Sequence, residues 1–275
     1  MGDAISNGFD PLVGYSYGTC VEAAYRLFAP GVLTPQTDAA QLPAGWQVLT
    51  ELIAVDRVAM KTEEEFFGLV LQSDDEQHVL LTIRGTDTFL EWLVDAEFVP
   101  CAFPGVPSAG RVESGFCSVY SSLRCTSRSA TPLSLIGQLS PGTKVTIAGH
   151  SLGAAVATLL ALDVAVNLPH LNLTLYTYAS PKVGDATFAT FCDARLATHY
   201  RVVNTADIVP RLPPAYVATG TGIELDSTTY PVVAHRVACY HTLTTYLWLL
   251  NQQSEYGLGT CERSPAAALP AAVSA

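Results

Sequence analysis

Lys144-Val145-Thr146-Ile147-Ala148-Gly149-His150-Ser151-Leu152-Gly153, followed by the Ala- and Leu-rich run Ala154 to Val166, decides how the chain is built. The first five residues predict a short strand, the later run predicts a helix, and a G-x-S-x-G pentapeptide joins them. Such a string arises by chance with a probability on the order of 0.1 in a chain of this glycine content, so its setting carries the weight. A chain that reverses within a few residues at a strand end forces the serine into a strained turn. Gly149 and Gly153 remove the side chains that would collide there. Ser151 is therefore expected bare at the carboxyl edge of a sheet, with the N–H groups of a helix start close by. The plainer alternative is a glycine-rich helix start in which Ser151 only caps.

Outward from this turn, strand and helix alternate. Leu171 to Tyr178 is strand-like, Asp185 to Leu196 helical and Tyr200 to Asn204 strand-like again. Upstream, Phe66 to Leu71 and Val79 to Ile83 bracket Ser73-Asp74-Asp75-Glu76, predicting two strands and a solvated acidic turn. Thr19 and Glu22 have the spacing of a capping box, which predicts a helix near 20 to 29, stopped by Pro30-Gly31. The alternation predicts βαβ units and a mostly parallel central sheet with helices on both faces. No Pro/Gly/Ser-rich linker interrupts it, so residues 1–263 are expected to form one domain, with the Ala/Pro-rich 264–275 as a loose tail.

Composition narrows the function. Against 25 Asp+Glu stand 14 Lys+Arg, a formal charge of −11, which argues against a nucleic-acid partner because phosphate needs clustered cations. Hydrophobic residues are 49% and charged residues 14%, which excludes disorder for most of the chain. Mean hydropathy is +0.28, yet the most apolar stretch, Gly153 to Leu162, is broken at Asp163, so no transmembrane segment is expected. Met1 to Ser6 has no basic n-region, and no signal peptide is visible. The six His form no H-E-x-x-H, and Gly220-Thr221-Gly222 lacks the further glycine of a dinucleotide loop, so neither metal nor organic cofactor is expected.

A serine hydroxyl needs a base oriented by an acid, and after a strand–turn–helix nucleophile both follow downstream. Asp163, Asp185 and Asp193 fall in or at the start of predicted helices. Asp207 follows the strand Tyr200 to Asn204 by three residues, where catalytic groups gather, and is the preferred acid, with Asp226 as the fallback. Of the downstream histidines, His241 precedes the helical pattern Leu243, Tyr246, Leu247, Leu250 and is free to reach Ser151. His235, after Val232-Val233-Ala234, has a more strand-like setting that suits a structural role. His150 is read as a packing or hydrogen-bonding residue.

Taken in order, these segments resemble the class 3 lipases, the family of secreted fungal lipases and related plant and bacterial acyl hydrolases. The resemblance runs from about Phe66 to Leu250. It rests on Ile83-Arg84-Gly85-Thr86 with Trp92, the Ser151 turn and Tyr176-Thr177-Tyr178-Ala179-Ser180-Pro181-Lys182-Val183-Gly184. Further motifs are Arg201-Val202-Val203-Asn204 with Asp207-Ile208-Val209-Pro210-Arg211-Leu212-Pro213-Pro214, and His241 with Tyr246-Leu247. It implies an α/β-hydrolase fold, a Ser151, Asp207, His241 triad and an oxyanion hole from Thr86 and the Leu152 N–H. The family's usual Val-His-x-Gly-Phe is here Val112-Glu113-Ser114-Gly115-Phe116. The Asp207–His241 segment also lacks the histidine-plus-aromatic signature of many fungal members. The family further implies export and a bridge from the start to the end of the domain, for which Cys20 and Cys261 are placed.

Phe89, Trp92, Leu93 and Ala96 recur at i, i+3, i+4 and i+7 beside Thr86, opposite Asp87, Glu91 and Asp95. This predicts an amphipathic helix, a candidate lid over the site or a surface helix with its apolar side in the core. The expected activity is a serine carboxylic-ester hydrolase, a lipase acting on acylglycerols at a lipid–water interface. Phospholipase A1, a feruloyl or short-chain carboxylesterase, and a non-catalytic lipase-like binding protein are the alternatives.

Overall fold

In β-strand His78–Ile83, Val79 and Leu81 join one buried cluster and Leu80 another, so successive side chains enter cores on opposite faces of the sheet. That two-sided burial organises the protein, whose computed structural model describes residues 8–36, 42–86, 98–127 and 130–263. The strands are β1 (Trp46–Val55), β2 (Glu64–Ser73), β3 (His78–Ile83), β4 (Pro100–Ala102), β5 (Arg111–Glu113) and β6 (Arg124–Cys125), then β7 (Lys144–His150), β8 (Asn172–Tyr178), β9 (His199–Asn204) and β10 (Thr221–Leu225). The helices are α1 (Pro11–Leu27), α2 (Ser114–Ser122), α3 (Pro132–Ile136), α4 (Leu152–Asn167), α5 (Ala186–Arg195), α6 (Val237–His241) and α7 (Leu243–Leu250).

Eight strands form one sheet in the order β10-β9-β8-β7-β3-β2-β1-β6, and β4 pairs separately with β5. From β10 through β3 the pairings are parallel; from β3 through β6 they are antiparallel. The mostly parallel sheet with helices on both faces is therefore present, with an antiparallel end that the strand pair Phe66–Leu71 and Val79–Ile83 foreshadowed. Aligned parallel strands bring the carboxyl ends of β3, β7 and β9 to one rim.

Helix α4 is buried on every side from Leu152 to Val164, because it lies between β7 and β8 and the outer helices α2, α3 and α5. Ala154, Ala155 and Ala157 are fully buried, and their small side chains let neighbouring elements approach it closely. The opposite face is covered by α1 and α7. Here the sequence expectation of a helix near 20 to 29 is corrected. The helix begins nine residues earlier, with Asp10 Oδ1 accepting from the Leu12 N–H at 2.8 Å and Pro11 in the first turn. Thr19 is an interior residue that bonds back to the Ser16 carbonyl. Gly14 and Gly18, which look like breaks, permit close packing, since a Cβ on Gly18 would stand 2.5 Å from Leu247.

The bridge implied for Cys20 and Cys261 is also corrected. Cys261 is joined to Cys239, with Cα atoms 5.3 Å apart, while Cys20 is a free thiol sealed on the inner face of α1, its ionisation opposed by burial. The acidic turn Asp74 to Glu76 is exposed, as expected. The candidate lid residues Phe89, Trp92 and Leu93 and the 264–275 tail lie outside the described residues. Among the described residues, no helix is long and apolar enough to cross a membrane.

Candidate active site

Ser151 is the residue between the last of β7 and the first of α4. Its φ of 58° and ψ of −127° are values that an L-residue adopts only when its surroundings compel it. The compulsion is visible: the Ser151 N–H is held by the Tyr178 carbonyl at 3.0 Å. A Cβ on Gly149 would lie 2.4 Å from the Gly153 carbonyl oxygen, and one on Gly153 2.3 Å from that of Ile83. Only two glycines allow the helix to start that close to β3 and β7.

Ser151 Oγ is 2.8 Å from His241 Nε2, and His241 Nδ1 is 2.8 Å from Asp207 Oδ2. A carboxylate only accepts, so the imidazole proton sits on Nδ1 and the lone pair on Nε2 faces the serine hydroxyl. All three residues are buried, with Asp207 1% and His241 7% exposed. The sequence-derived Ser151, Asp207 and His241 thus meet across 90 residues of chain. His241 ends the short helix α6 and does not lie on a plain loop as expected.

Asp207 is held from three sides. Its Oδ1 accepts the Val209 N–H at 3.0 Å, and Oδ2 accepts the Tyr246 hydroxyl at 2.8 Å as well as the imidazole. Burial keeps the Tyr246 phenol well above its usual ionisation range, so it stays a donor. Asn204, the last residue of β9 and fully buried, donates to the Tyr240 carbonyl and the Ser227 hydroxyl, both at 2.9 Å, and accepts the Ser227 N–H at 3.1 Å. It ties the acid's strand to the residue preceding His241. The sequence pattern singles out neither Asn204, at the end of Arg201-Val202-Val203-Asn204, nor Tyr246, in the apolar period of the last helix, for these roles.

The remaining candidates fall elsewhere. Asp226 caps the 3-10 turn Ser227–Thr229 through the Thr228 N–H. His235 is exposed and lies outside any strand, which removes the strand-like setting expected for it. His199, in β9, bonds to Thr177 Oγ1 at 3.0 Å rather than to Ser151.

Thr86 stands with Ser151 and His241 on the wall of a cavity of about 350 Å³ that Tyr25, Leu243 and Glu22 also line. Its loop is fixed by the buried Arg84. The guanidinium donates to the Phe66 and Gly85 carbonyls at 2.8 and 2.7 Å, pairs with Glu65 at 2.9 Å and lies 3.7 Å over the Phe28 ring. Leu152 opens α4, so its N–H belongs to the set that a helix start leaves unsatisfied. His150 also belongs to this wall and is buried, and desolvation first, then the neighbouring His241, push its pKa well down. Glu22 on α1 also reaches the cavity; burial raises its carboxyl pKa, and Arg26 at 3.3 Å opposes the rise only in part.

This arrangement has relatives. The profile described as "Lipase (class 3)" matches residues 80–217. Over 151 residues the chain is 39% identical to a lipase of Rhizomucor miehei, a match covering 54% of this chain and 41% of that one. Over 218 residues it is 32% identical to phospholipase A1-II 4 of Oryza sativa subsp. japonica, covering 67% and 55%. The chain thus spans less than two thirds of the length of these curated relatives. The solved structure of the Rhizomucor miehei triacylglyceride lipase superimposes with a TM-score of 0.63 at 27% identity, covering 79% of this chain and 80% of that one. A lipase from Rhizopus microsporus var. chinensis gives 0.63 at 26%, covering 78% and 74%. The fold is that of the α/β-hydrolases, and with the profile extending over half of its length, the chain belongs to the class 3 lipase family.

Proposed function

We propose that the protein is a serine carboxylic-ester hydrolase cleaving acylglycerols, with 1–263 as its single working unit. The observation that carries this reading is the unbroken line of Ser151 Oγ, His241 Nε2, His241 Nδ1 and Asp207 Oδ2, with 2.8 Å at each contact between residues. His241 takes the hydroxyl proton as Ser151 attacks the ester carbonyl, and Asp207 steadies the imidazolium that forms. The tetrahedral oxyanion is met by the Leu152 N–H and Thr86, a contribution of about 10²–10³ in kcat per donor in comparable sites. His241 then gives its proton to the departing alcohol, and water repeats the cycle on the acyl-serine to release the acid.

The mostly aliphatic substrate side is supported by Leu243 and Ala238 in the cavity wall, and the phospholipase A1 alternative by the likeness to the rice enzyme. The Cys239–Cys261 bridge supports an oxidising compartment. The sequence expectation of a lid at Phe89, Trp92 and Leu93 is tested by Trp92→Ala, which in this reading lowers activity on emulsified esters more than on dissolved short-chain esters.

The test is hydrolysis of p-nitrophenyl esters from acetyl to palmitoyl, with triacylglycerol, phosphatidylcholine and methyl ferulate beside them and Ser151→Ala as control. Activity lost in Ser151→Ala and highest on triacylglycerol supports the lipase. Preference for phosphatidylcholine or methyl ferulate replaces it with one of the alternatives. A folded wild-type protein that turns over none of these, and whose Ser151 no organophosphate labels, overturns the hydrolase reading.

A further inference from the structure

Resting on the hydrolase reading, we propose that Tyr25 and His150 form a positioning relay that locks the oxyanion loop to the base. Three hydrogen bonds compose it. The Gly85 N–H donates to Tyr25 Oη at 2.7 Å, Tyr25 Oη lies 2.8 Å from His150 Nδ1, and His150 Nε2 lies 2.8 Å from the His241 carbonyl oxygen.

One assignment of protons satisfies all three. A carbonyl oxygen only accepts, so Nε2 of His150 carries the ring proton and Nδ1 presents its lone pair. The Tyr25 hydroxyl then donates to Nδ1 and keeps its own lone pairs for the Gly85 amide. Every direction along the line is set by its two ends, both of them backbone groups. One end belongs to the residue before Thr86, the other to the residue whose ring faces Ser151. The line thus couples the two sides of the reacting ester carbonyl without a hydrogen bond to Ser151 Oγ or to a ring nitrogen of His241.

His150 is unsuited to a second base. Both ring nitrogens are engaged, and its ring centre is 5.0 Å from that of His241, so a charge on it would oppose the imidazolium formed in each half-reaction. Burial also favours the neutral form. The fit is close, because a Cβ on Gly85 would stand 2.6 Å from Tyr25 Oη and 3.0 Å from Ser151 Cβ. A displacement of the loop is therefore passed to the hydroxyl and the nucleophile rather than absorbed by empty space.

The experiment measures kcat and KM on dissolved p-nitrophenyl butyrate for wild type, Tyr25→Phe, His150→Ala, His150→Gln and the Tyr25→Phe/His150→Ala double variant. The melting temperature of each is recorded. Misplacement of a catalytic group by a fraction of its bond length predicts a fall in kcat of about 10–100-fold for Tyr25→Phe and His150→Ala, with KM within about threefold. The double variant falls no further than the poorer single one, as expected of groups acting as a unit. His150→Gln, whose amide N–H reaches the same carbonyl, recovers part of the loss. Losses that multiply in the double variant, a Gln variant no better than Ala, or single variants within threefold of wild type overturn the relay.

Should the Tyr25 and His150 variants fail to fold, ¹⁵N-histidine NMR of the wild type decides. A neutral, Nε2-protonated ring bonded through Nδ1 to a tyrosine hydroxyl supports the relay, and an Nδ1–H tautomer or an imidazolium overturns it. Active wild type with unaffected variants removes the relay alone, whereas inactive, unlabelled wild type removes the hydrolase reading beneath it.

Discussion

Tyr246 donates to the Oδ2 atom of Asp207, the same oxygen that accepts the His241 N–H, with 2.8 Å in each case. The phenol also accepts the Asn204 N–H at 3.1 Å, so one buried hydroxyl spans the acid and the strand that carries it. A hydrogen bond to a charged group contributes about 1.5–3 kcal/mol. Tyr246→Phe should therefore lower kcat by about 10–100-fold with little change in KM. Asp207→Asn, which leaves the imidazole in the wrong tautomer, should lower kcat by about 10⁴. Asp226→Asn should leave turnover at wild-type level. Steady-state kinetics on a dissolved ester checks all three, and equal losses from Asp207→Asn and Asp226→Asn would contradict the assignment of the acid.

Gly153→Ala is expected to be among the most damaging single-methyl additions in the chain. The new Cβ meets the Ile83 and Arg84 carbonyl oxygens at 2.3 and 2.4 Å, and both are backbone. Gly222→Ala in β10 meets only Arg201 Nη2 at 3.6 Å. Thermal melts of the two variants should show a large loss, or no soluble protein, for the first and a shift of a degree or two, roughly the scale of surface changes, for the second.

Histidine burial gives stability a pH dependence of known sign. His199 is pushed down to about 3 by desolvation first and by Arg201 second, from an ordinary value of 6.5. Between those values the unfolded chain holds a proton that the folded chain does not. Stability contributed by the neutral ring is complete above about pH 6.5 and declines as pH falls through that window. Urea midpoints between pH 7 and 5 should therefore fall, and His199→Gln should reduce the slope by about one proton per molecule. An unchanged slope would mean that His199 accepts its proton while folded.

The Cys239–Cys261 bridge closes a loop with a sequence separation of 22, for which chain entropy predicts about 3 kcal/mol of stability. Cys239 precedes His241 by two residues, so Cys261→Ser should reduce both the melting temperature and the turnover. Denatured without reductant, the protein should yield five reactive thiols, at Cys20, Cys101, Cys117, Cys125 and Cys192. Recovery of a labelled Cys261 would refute the pairing.

Much of the site was legible because its parts follow local rules. A turn between strand and helix singles out Ser151, the end of β9 singles out Asp207, and the downstream position singles out His241. Tyr25 and Tyr246 were illegible for the opposite reason. Each lies in the apolar period of a helix, where an aromatic ring reads as core, and nothing in the string reveals that its hydroxyl meets a partner 125 or 39 residues away. Strand β1 escaped notice because register shifts between Val48 and Thr50 and between Leu52 and Ile53 break its alternation. Gly14 and Gly18 concealed the start of α1, since their value lies in contacts with other elements. The Cys20–Cys261 bridge that the family resemblance implies does not form, because Cys20 is buried on the inner face of α1 while Cys261 pairs with Cys239.

The exposed turn Asp74 to Gln77 joins β2 to β3 at the amino end of β3, and Thr86 lies beyond its carboxyl end. Six residues of strand separate the two rims, about 20 Å. A fusion partner or solid support grafted onto that hairpin tip would hold the molecule with its mouth turned toward the bulk phase, a ready-made handle for immobilisation.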